Sequence, residues 1–285
     1  MSRVAQRRRI TKFRAGSGAG SREDVLAGEE PLEIRIGGRA FTITMRTPGD
    51  DFDLVAGFLV SEGVVWDPTQ LVSLRYCAGL DEDGLQTFNV VEAQLRPDVQ
   101  LPDTAMERNV YTSSSCGICG TASIEAVRKS SRFEVKDDDV RFSLPVLAAL
   151  PDRLRETQKL FDSTGGVHAA GLFTPDGKLL CLREDVGRHN AVDKVVGWAL
   201  REGLLPLRGT VLQVSGRASF ELVQKAQLAG IPCLSAVSAP SSLAADLAEE
   251  TGMTLVGFSR GRSLNCYTHP ARIDPDSWAQ ATPSP

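Results

Sequence analysis

Apolar and polar residues alternate with period two over residues 32–36 and again over 41–46, on either side of Gly37-Gly38. Alternation broken by two glycines predicts a β-hairpin with one buried face. Thr47-Pro48-Gly49-Asp50 closes it. An apolar helix is predicted over 51–61, with Asp51 and Asp53 in the first turn, where the helix dipole favours acids. Strands follow at 71–76 and 87–95, separated by Asp81-Glu82-Asp83-Gly84. Helices are predicted over 122–129, 145–150 and 152–158. From residue 167 the rhythm changes. Strands at 167–173 and 178–182 flank Pro175-Asp176-Gly177, and then helix 190–201, strand 210–214, helix 220–229, strand 231–237, helix 241–250 and strand 254–258 alternate. That spacing predicts a largely parallel sheet with helices on its faces.

The expected class is therefore α/β, with an α+β domain at 31–140 and an α/β domain at 141–275. Tails are expected at 1–30 and 276–285. The first twenty residues hold Arg3, Arg7, Arg8, Arg9, Lys12 and Arg14 with no acid, which reads as a disordered basic tail. No apolar h-region follows these arginines, so an export signal is not expected. No apolar run is long enough to span a bilayer.

Charge narrows the partners. A balance of 32 basic against 36 acidic residues gives −4, which leaves no general footprint for nucleic acid or membrane. Six cysteines in 285 residues do not make a disulfide scaffold, and the chain is expected in a reducing compartment, the cytoplasm.

The candidate chemistry centres on Ser113-Ser114-Ser115-Cys116-Gly117-Ile118-Cys119-Gly120. Small polar neighbours and two glycines leave both thiols accessible. A helix starting near Thr121 would favour the thiolate form through its free N–H groups. A structural zinc site needs a second ligand pair, and the other cysteines, 77, 181, 233 and 266, are isolated. A thioredoxin-like dithiol needs an early βαβ unit that this chain does not predict. A sulfur carrier suits an exposed pair on a flexible loop. Inert loop cysteines are the plain alternative, weakened by the surrounding serines and glycines.

Four further loops are predicted at the carboxyl ends of the second domain's strands, where open α/β sheets bind ligands. They are Asp185-Val186-Gly187-Arg188-His189-Asn190, Ser215-Gly216-Arg217-Ala218-Ser219, Ser238-Ala239-Pro240-Ser241-Ser242, and Phe258-Ser259-Arg260-Gly261-Arg262-Ser263. Gly, Ser and Arg at helix starts suit a phosphorylated ligand, through backbone N–H groups, hydroxyls and guanidinium forks. Ordinary caps and turns have the same composition. Among the histidines, His189 is the better ligand candidate; His168 is expected at a strand edge and His269 at the surface. His168-Ala169-Ala170 and Pro232-Cys233-Leu234-Ser235-Ala236 have the outline of a zinc nucleobase deaminase signature, yet Ala170 and Ala236 replace the acid/base Glu and a Cys ligand. No metal is expected.

Ser114 through Gly120, Arg183 through Lys194, Ser215-Gly216-Arg217 and Gly257 through Arg262 together resemble the formate dehydrogenase accessory sulfurtransferase family, FdhD. The resemblance implies a cytoplasmic, homodimeric sulfur carrier whose second domain has a cytidine-deaminase-like α/β/α fold. It further implies that a cysteine desulfurase supplies persulfide sulfur to the CxxC loop. The cargo receiving it is the bis(molybdopterin guanine dinucleotide) molybdenum cofactor of formate dehydrogenase. By position, Cys116 corresponds to the persulfide-bearing residue, with Cys119 beside it. Phe258, Ser259, Arg260, Gly261, Arg262 and Ser263 correspond to the cofactor-binding segment, and Ser215, Gly216, Arg217 and His189 are candidates beside it. Ser115 departs from the Gly that often precedes the first Cys. A cofactor-binding chaperone without sulfur chemistry is the alternative of a different class.

Overall fold

The computed structural model describes residues 4–77, 79, 87–101, 131–275 and 277. Cys116, Cys119, the helix expected at 122–129 and the turn at 81–84 lie outside the described residues.

The predicted hairpin forms as β3 (Glu30–Ile36) and β4 (Arg39–Arg46). With β5 (Leu71–Tyr76) and β6 (Val90–Leu95) these strands make a four-stranded sheet of order β4-β3-β6-β5, parallel between β3 and β6 and antiparallel elsewhere. Its buried face presents Leu32, Ile34, Val91 and Ala93. Helix α1 (Asp51–Ser61) has the predicted bounds.

The second sheet has six strands in the order β13-β12-β11-β10-β8-β9: β8 (His168–Phe173), β9 (Leu179–Asp185), β10 (Val211–Val214), β11 (Cys233–Ala236), β12 (Thr254–Arg260) and β13 (Ser263–Thr268). Parallel pairing is narrower than expected, being confined to β10–β11 and β11–β12; the β10–β8, β8–β9 and β12–β13 ladders are antiparallel. Tight turns, not crossover helices, join β8 to β9 and β12 to β13, and a tight turn can only reverse the chain. On one face lie α4 (Arg188–Arg201), α5 (Phe220–Leu228) and α6 (Ser242–Thr251). On the other lies α2 (Leu144–Thr157), which is followed by the short α3 (Lys159–Thr164) and preceded by β7 (Phe142–Ser143), the partner of β14 (Ile273–Asp274).

The helical layer belongs to both sheets. One core cluster runs from Leu32 through α1 and α4 to Leu255. Helices α1 and α4 meet at Gly57 and Gly197, where an added Cβ would fall 1.8 Å from the carbonyl oxygens of Asp193 and Asp53 respectively. Polar clamps frame the contact. Asp53 binds Arg183 at 2.7 Å and also Arg201, while Asp193 accepts from Ser61 Oγ at 2.6 Å and Lys225 Nζ at 2.7 Å.

Two further expectations are corrected. The helices expected at 145–150 and 152–158 are one helix, α2, with Pro151 inside it. Proline cannot donate to the carbonyl four residues earlier. That carbonyl, Leu147 O, accepts instead from Ser259 Oγ at 3.3 Å, so the sheet beneath replaces the missing bond. The basic segment expected to be disordered is an antiparallel hairpin, β1 (Ala5–Arg14) and β2 (Gly18–Ala27). Its register sets Arg8 opposite Asp24 and Arg9 opposite Glu23, and opposite charges across a ladder stabilise the pairing. Gly16 and Gly18 take the positive φ that the turn needs.

Candidate functional site

Strand directions decide which loops share an edge. β10, β11 and β12 run parallel, and β9 is antiparallel to β8, which is antiparallel to β10. The carboxyl ends of β9, β10, β11 and β12 therefore point the same way. All four Gly/Ser/Arg loops lie on this edge, together with the first residue of β8, His168.

The first loop is held by Asp185. This fully buried carboxylate accepts from Thr47 N at 3.1 Å, Gly187 N at 2.8 Å, Asn190 Nδ2 at 3.0 Å and Lys194 Nζ at 2.8 Å. Lys194, also buried, donates to Thr47 O, and Asn190 Nδ2 donates to Met45 O. Four charge-assisted bonds satisfy a carboxylate that burial alone would make costly. They also fasten the turn after β4 to this edge, so both sheets define it.

Held this way, α4 begins at Arg188. Arg188 Nε is buried with no hydrogen-bond partner among the described residues. His189 Nε2 stands 3.5 Å from Ser219 Oγ and 3.7 Å from Glu221 Oε2, at the start of α5. That contact holds the Glu221 carboxyl down to about 2, chiefly through His189. His168, half-buried, has its basicity lowered first by burial and then by the charges of Arg188 and His189.

The second and third loops are joined. Ser215 exchanges bonds with the Ala169 backbone, accepting at Oγ (2.8 Å) and donating from N (3.0 Å). Gly216 lies over the His168 ring, its absent Cβ 3.7 Å from Nδ1, and Arg217 projects outward, exposed. Ala218 bridges to Pro240, and Ser241 donates from N to Ala218 O while its hydroxyl caps α6 at Ala244 N.

The fourth loop continues β12. Phe258 takes φ 51°, unusual for a bulky residue, and its N donates to Ser238 O at 3.3 Å. Gly257 is tightly enclosed: a Cβ there would meet Pro240, Ser238 O and Tyr267 at 3.0 Å, so its neighbours would have to give way by a few tenths of an ångström. Phe258, Arg260, Gly261, Arg262 and Ser263 are exposed. Ser259 is not: its fully buried side chain serves α2, so as a side chain it faces away from the edge and cannot bind the expected ligand. Arg217 and the 258–263 loop follow strands β10 and β12, which are two strand spacings apart, about 10 Å.

The edge combines an exposed aromatic, three exposed guanidinium groups and close-packed glycine backbone, which suits an anionic ligand with a planar part. Elsewhere Cys181, Cys233 and Cys266 are unsuited to nucleophilic work. Burial pushes Cys181 up to about 12, and it raises Cys233 and Cys266 as well. Ala170 and Ala236 are buried strand residues, and no cluster of three His, Cys, Asp or Glu side chains that could hold a metal occurs among the described residues. Sequence reasoning named Asp185 only as the start of its loop and Thr47 only as part of a turn, and did not single out Glu221; His168 it had left as an edge residue. The approach of Thr47 to Asp185 joins positions 138 residues apart, and no local pattern announces it.

The fold and this edge define an α/β protein with a rim of arginine-, glycine- and serine-bearing loops built by two interlocked sheets. The chain belongs to the FdhD/NarQ family, whose model matches residues 27–274. It is 60% identical to a "Sulfur carrier protein FdhD" of Streptomyces avermitilis, over 96% of this chain and 97% of the relative. Proteins of that name from Mycobacterium tuberculosis and Sulfolobus acidocaldarius are 54% and 44% identical, covering 89% and 93% of this chain and 93% and 97% of their own. In fold it is similar to the crystal structure of a candidate formate dehydrogenase accessory protein from Desulfotalea psychrophila (TM-score 0.73, 24% identity, 95% of this chain and 100% of the other). No helix among the described residues is long and apolar enough to cross a membrane.

Proposed function

We propose that this chain is a sulfurtransferase that takes persulfide sulfur from a cysteine desulfurase and delivers it to the bis(molybdopterin guanine dinucleotide) cofactor destined for formate dehydrogenase. Sulfur carriage in general is the role named for its relatives. The observation that carries the finer reading is the shared edge: Arg188, Arg217, Arg260 and Arg262 lie on loops that one sheet aligns, in a chain whose sequence also offers the Cys116–Cys119 pair. In the first step the Cys116 thiolate attacks the outer sulfur of the donor persulfide. A new S–S bond forms at Cys116, the donor's S–S bond breaks, and its thiolate leaves. Nucleotide phosphates of the cargo are held by the arginine loops, with Phe258 available to stack on a base.

The test is peptide mass spectrometry after incubation with a cysteine desulfurase and free cysteine. Wild type is expected to gain one sulfur on the loop peptide, and Cys116→Ala to gain none there. Arg260→Ala with Arg262→Ala is expected to charge normally yet retain less guanine nucleotide. Absence of added sulfur on wild type, with a desulfurase shown competent on another acceptor, would refute sulfur transfer and favour a cofactor-binding chaperone.

A further inference from the structure

Strands β12 and β13 pair with two register shifts, and each shift puts out an aromatic ring. Val256 lies opposite Cys266 and Leu255 opposite Thr268, so Tyr267 is an extra residue of β13 with no counterpart across the ladder. On the other side of the Gly257–Asn265 pair, Phe258 and Ser259 stand against Leu264 alone before Arg260 meets Ser263. A bulge bends its strand and re-aims the extra side chain. Here Ser259 turns inward to α2, while Phe258 and Tyr267 stay 37% and 41% exposed. Two interruptions of one short ladder, each leaving a large apolar ring in water, are a cost that folding does not explain.

Tyr267 is also held in place. Its Cε2 lies 3.0 Å from where a Gly257 Cβ would stand, and Pro240 Cδ lies at the same distance, so the ring leans across Gly257 toward the third loop of the rim. Asn265, opposite Gly257, is exposed, and neither its amide nor the Tyr267 hydroxyl has a hydrogen-bond partner among the described residues. Alternation along β13 sets Ser263, Asn265 and Tyr267 on its exposed face and leaves Leu264 and Cys266 half-buried. This row runs about 14 Å from the turn that carries Arg260 and Arg262. Guanidinium groups at one end of it suit phosphates. At the other end stand a ring face and an amide that offers a donor beside an acceptor. A nucleobase needs both, because its π face stacks on aromatic rings and its edge sets donors beside acceptors. We infer that Tyr267 and Asn265, with Phe258, form the nucleobase subsite of the rim, Tyr267 as the stacking platform and Asn265 as the reader of the guanine edge. The inference rests on the nucleotide cargo of the proposed function and adds the residues that take its base.

The experiment is calorimetric titration of the full chain with GDP, on wild type, Tyr267→Ala, Tyr267→Phe and Asn265→Ala, with thermal denaturation of each. Tyr267→Ala removes the platform and is expected to bind GDP about tenfold more weakly. Tyr267→Phe keeps the ring and is expected to stay within about twofold of wild type. Asn265→Ala is expected to lose about fivefold. Melting temperatures and persulfide charging of the loop peptide are expected to match wild type throughout, since all three side chains are exposed and none belongs to the sulfur step. GDP affinity unchanged in Tyr267→Ala, a Tyr267→Phe protein as weak as Tyr267→Ala, or a loss of affinity matched by a loss of fold would overturn the subsite and leave the cargo reading standing. A folded wild type that binds no GDP would overturn both.

Discussion

Replacing Gly197 by Ala tests whether the α1–α4 contact holds the two sheets together. The added methyl would lie 1.8 Å from Asp53 O, 2.5 Å from Gly57 N and 2.8 Å from Asp53 C. All three are backbone atoms of the facing helix, so no side chain can swing aside. The helices would have to part by more than about 1 Å to restore ordinary contact distances. Alanine gains about 1 kcal/mol in helix propensity over glycine. Overpacking a tight core costs about 1–3 kcal/mol, and rigid backbone on both sides places this site at the upper end. The steric term wins, leaving a net loss of about 2 kcal/mol, or roughly 4–8 °C in Tm. Parting the helices also strains the bonds of Asp53 to Arg183 and Arg201, which only adds to the loss. Thermal and urea denaturation would be compared with Gly20→Ala, where nothing lies within 4 Å, as a neutral control. A Gly197→Ala protein melting within about 1 °C of wild type, or above it, would refute the packing account.

Lys194→Met strands a buried carboxylate: Asp185 keeps three donors but loses its counter-charge. The expected cost is about 3 kcal/mol in urea denaturation, the lower end for a broken buried pair. Acid sensitivity should fall in two windows. His168, its pKa lowered in the fold by burial, lets the unfolded chain bind a proton first, so stability declines as pH falls below about 6.5. Glu221, held down to about 2 chiefly by His189, contributes stability that is complete above the unfolded value and lost as pH falls from about 4.5 toward 2. Urea midpoints of Glu221→Gln across pH 2–7 should lack the second decline; an unchanged profile would remove His189–Glu221 from the account.

Local pattern carried the helices and most strands. Period-two alternation about Gly37-Gly38 marked β3 and β4, and the apolar run behind Asp51 and Asp53 marked α1 to the residue, because hairpins and amphipathic helices are decided by neighbours within a few positions. The four polar loops were also legible, as was the edge they would share. What pattern could not carry is anything set by a distant partner. Pro151 reads as a break until Ser259 reaches Leu147 O, and Ser259 reads as a ligand residue until the same bond turns it inward. The arginine-rich start reads as disorder because composition ignores pairing; only a register that sets Arg8 and Arg9 against Asp24 and Glu23 makes it a ribbon.

The sequence by itself determined which segments can be helix or strand, and which residues have chemistry to offer, since propensity, periodicity and side-chain reactivity are properties of short stretches. Tertiary structure decided which of those residues meet. Asp185 finds Thr47 138 positions away, and Gly57 finds Gly197 across two helices, because burying one shared apolar layer between two sheets leaves each polar group inside it only the partners that the packing brings.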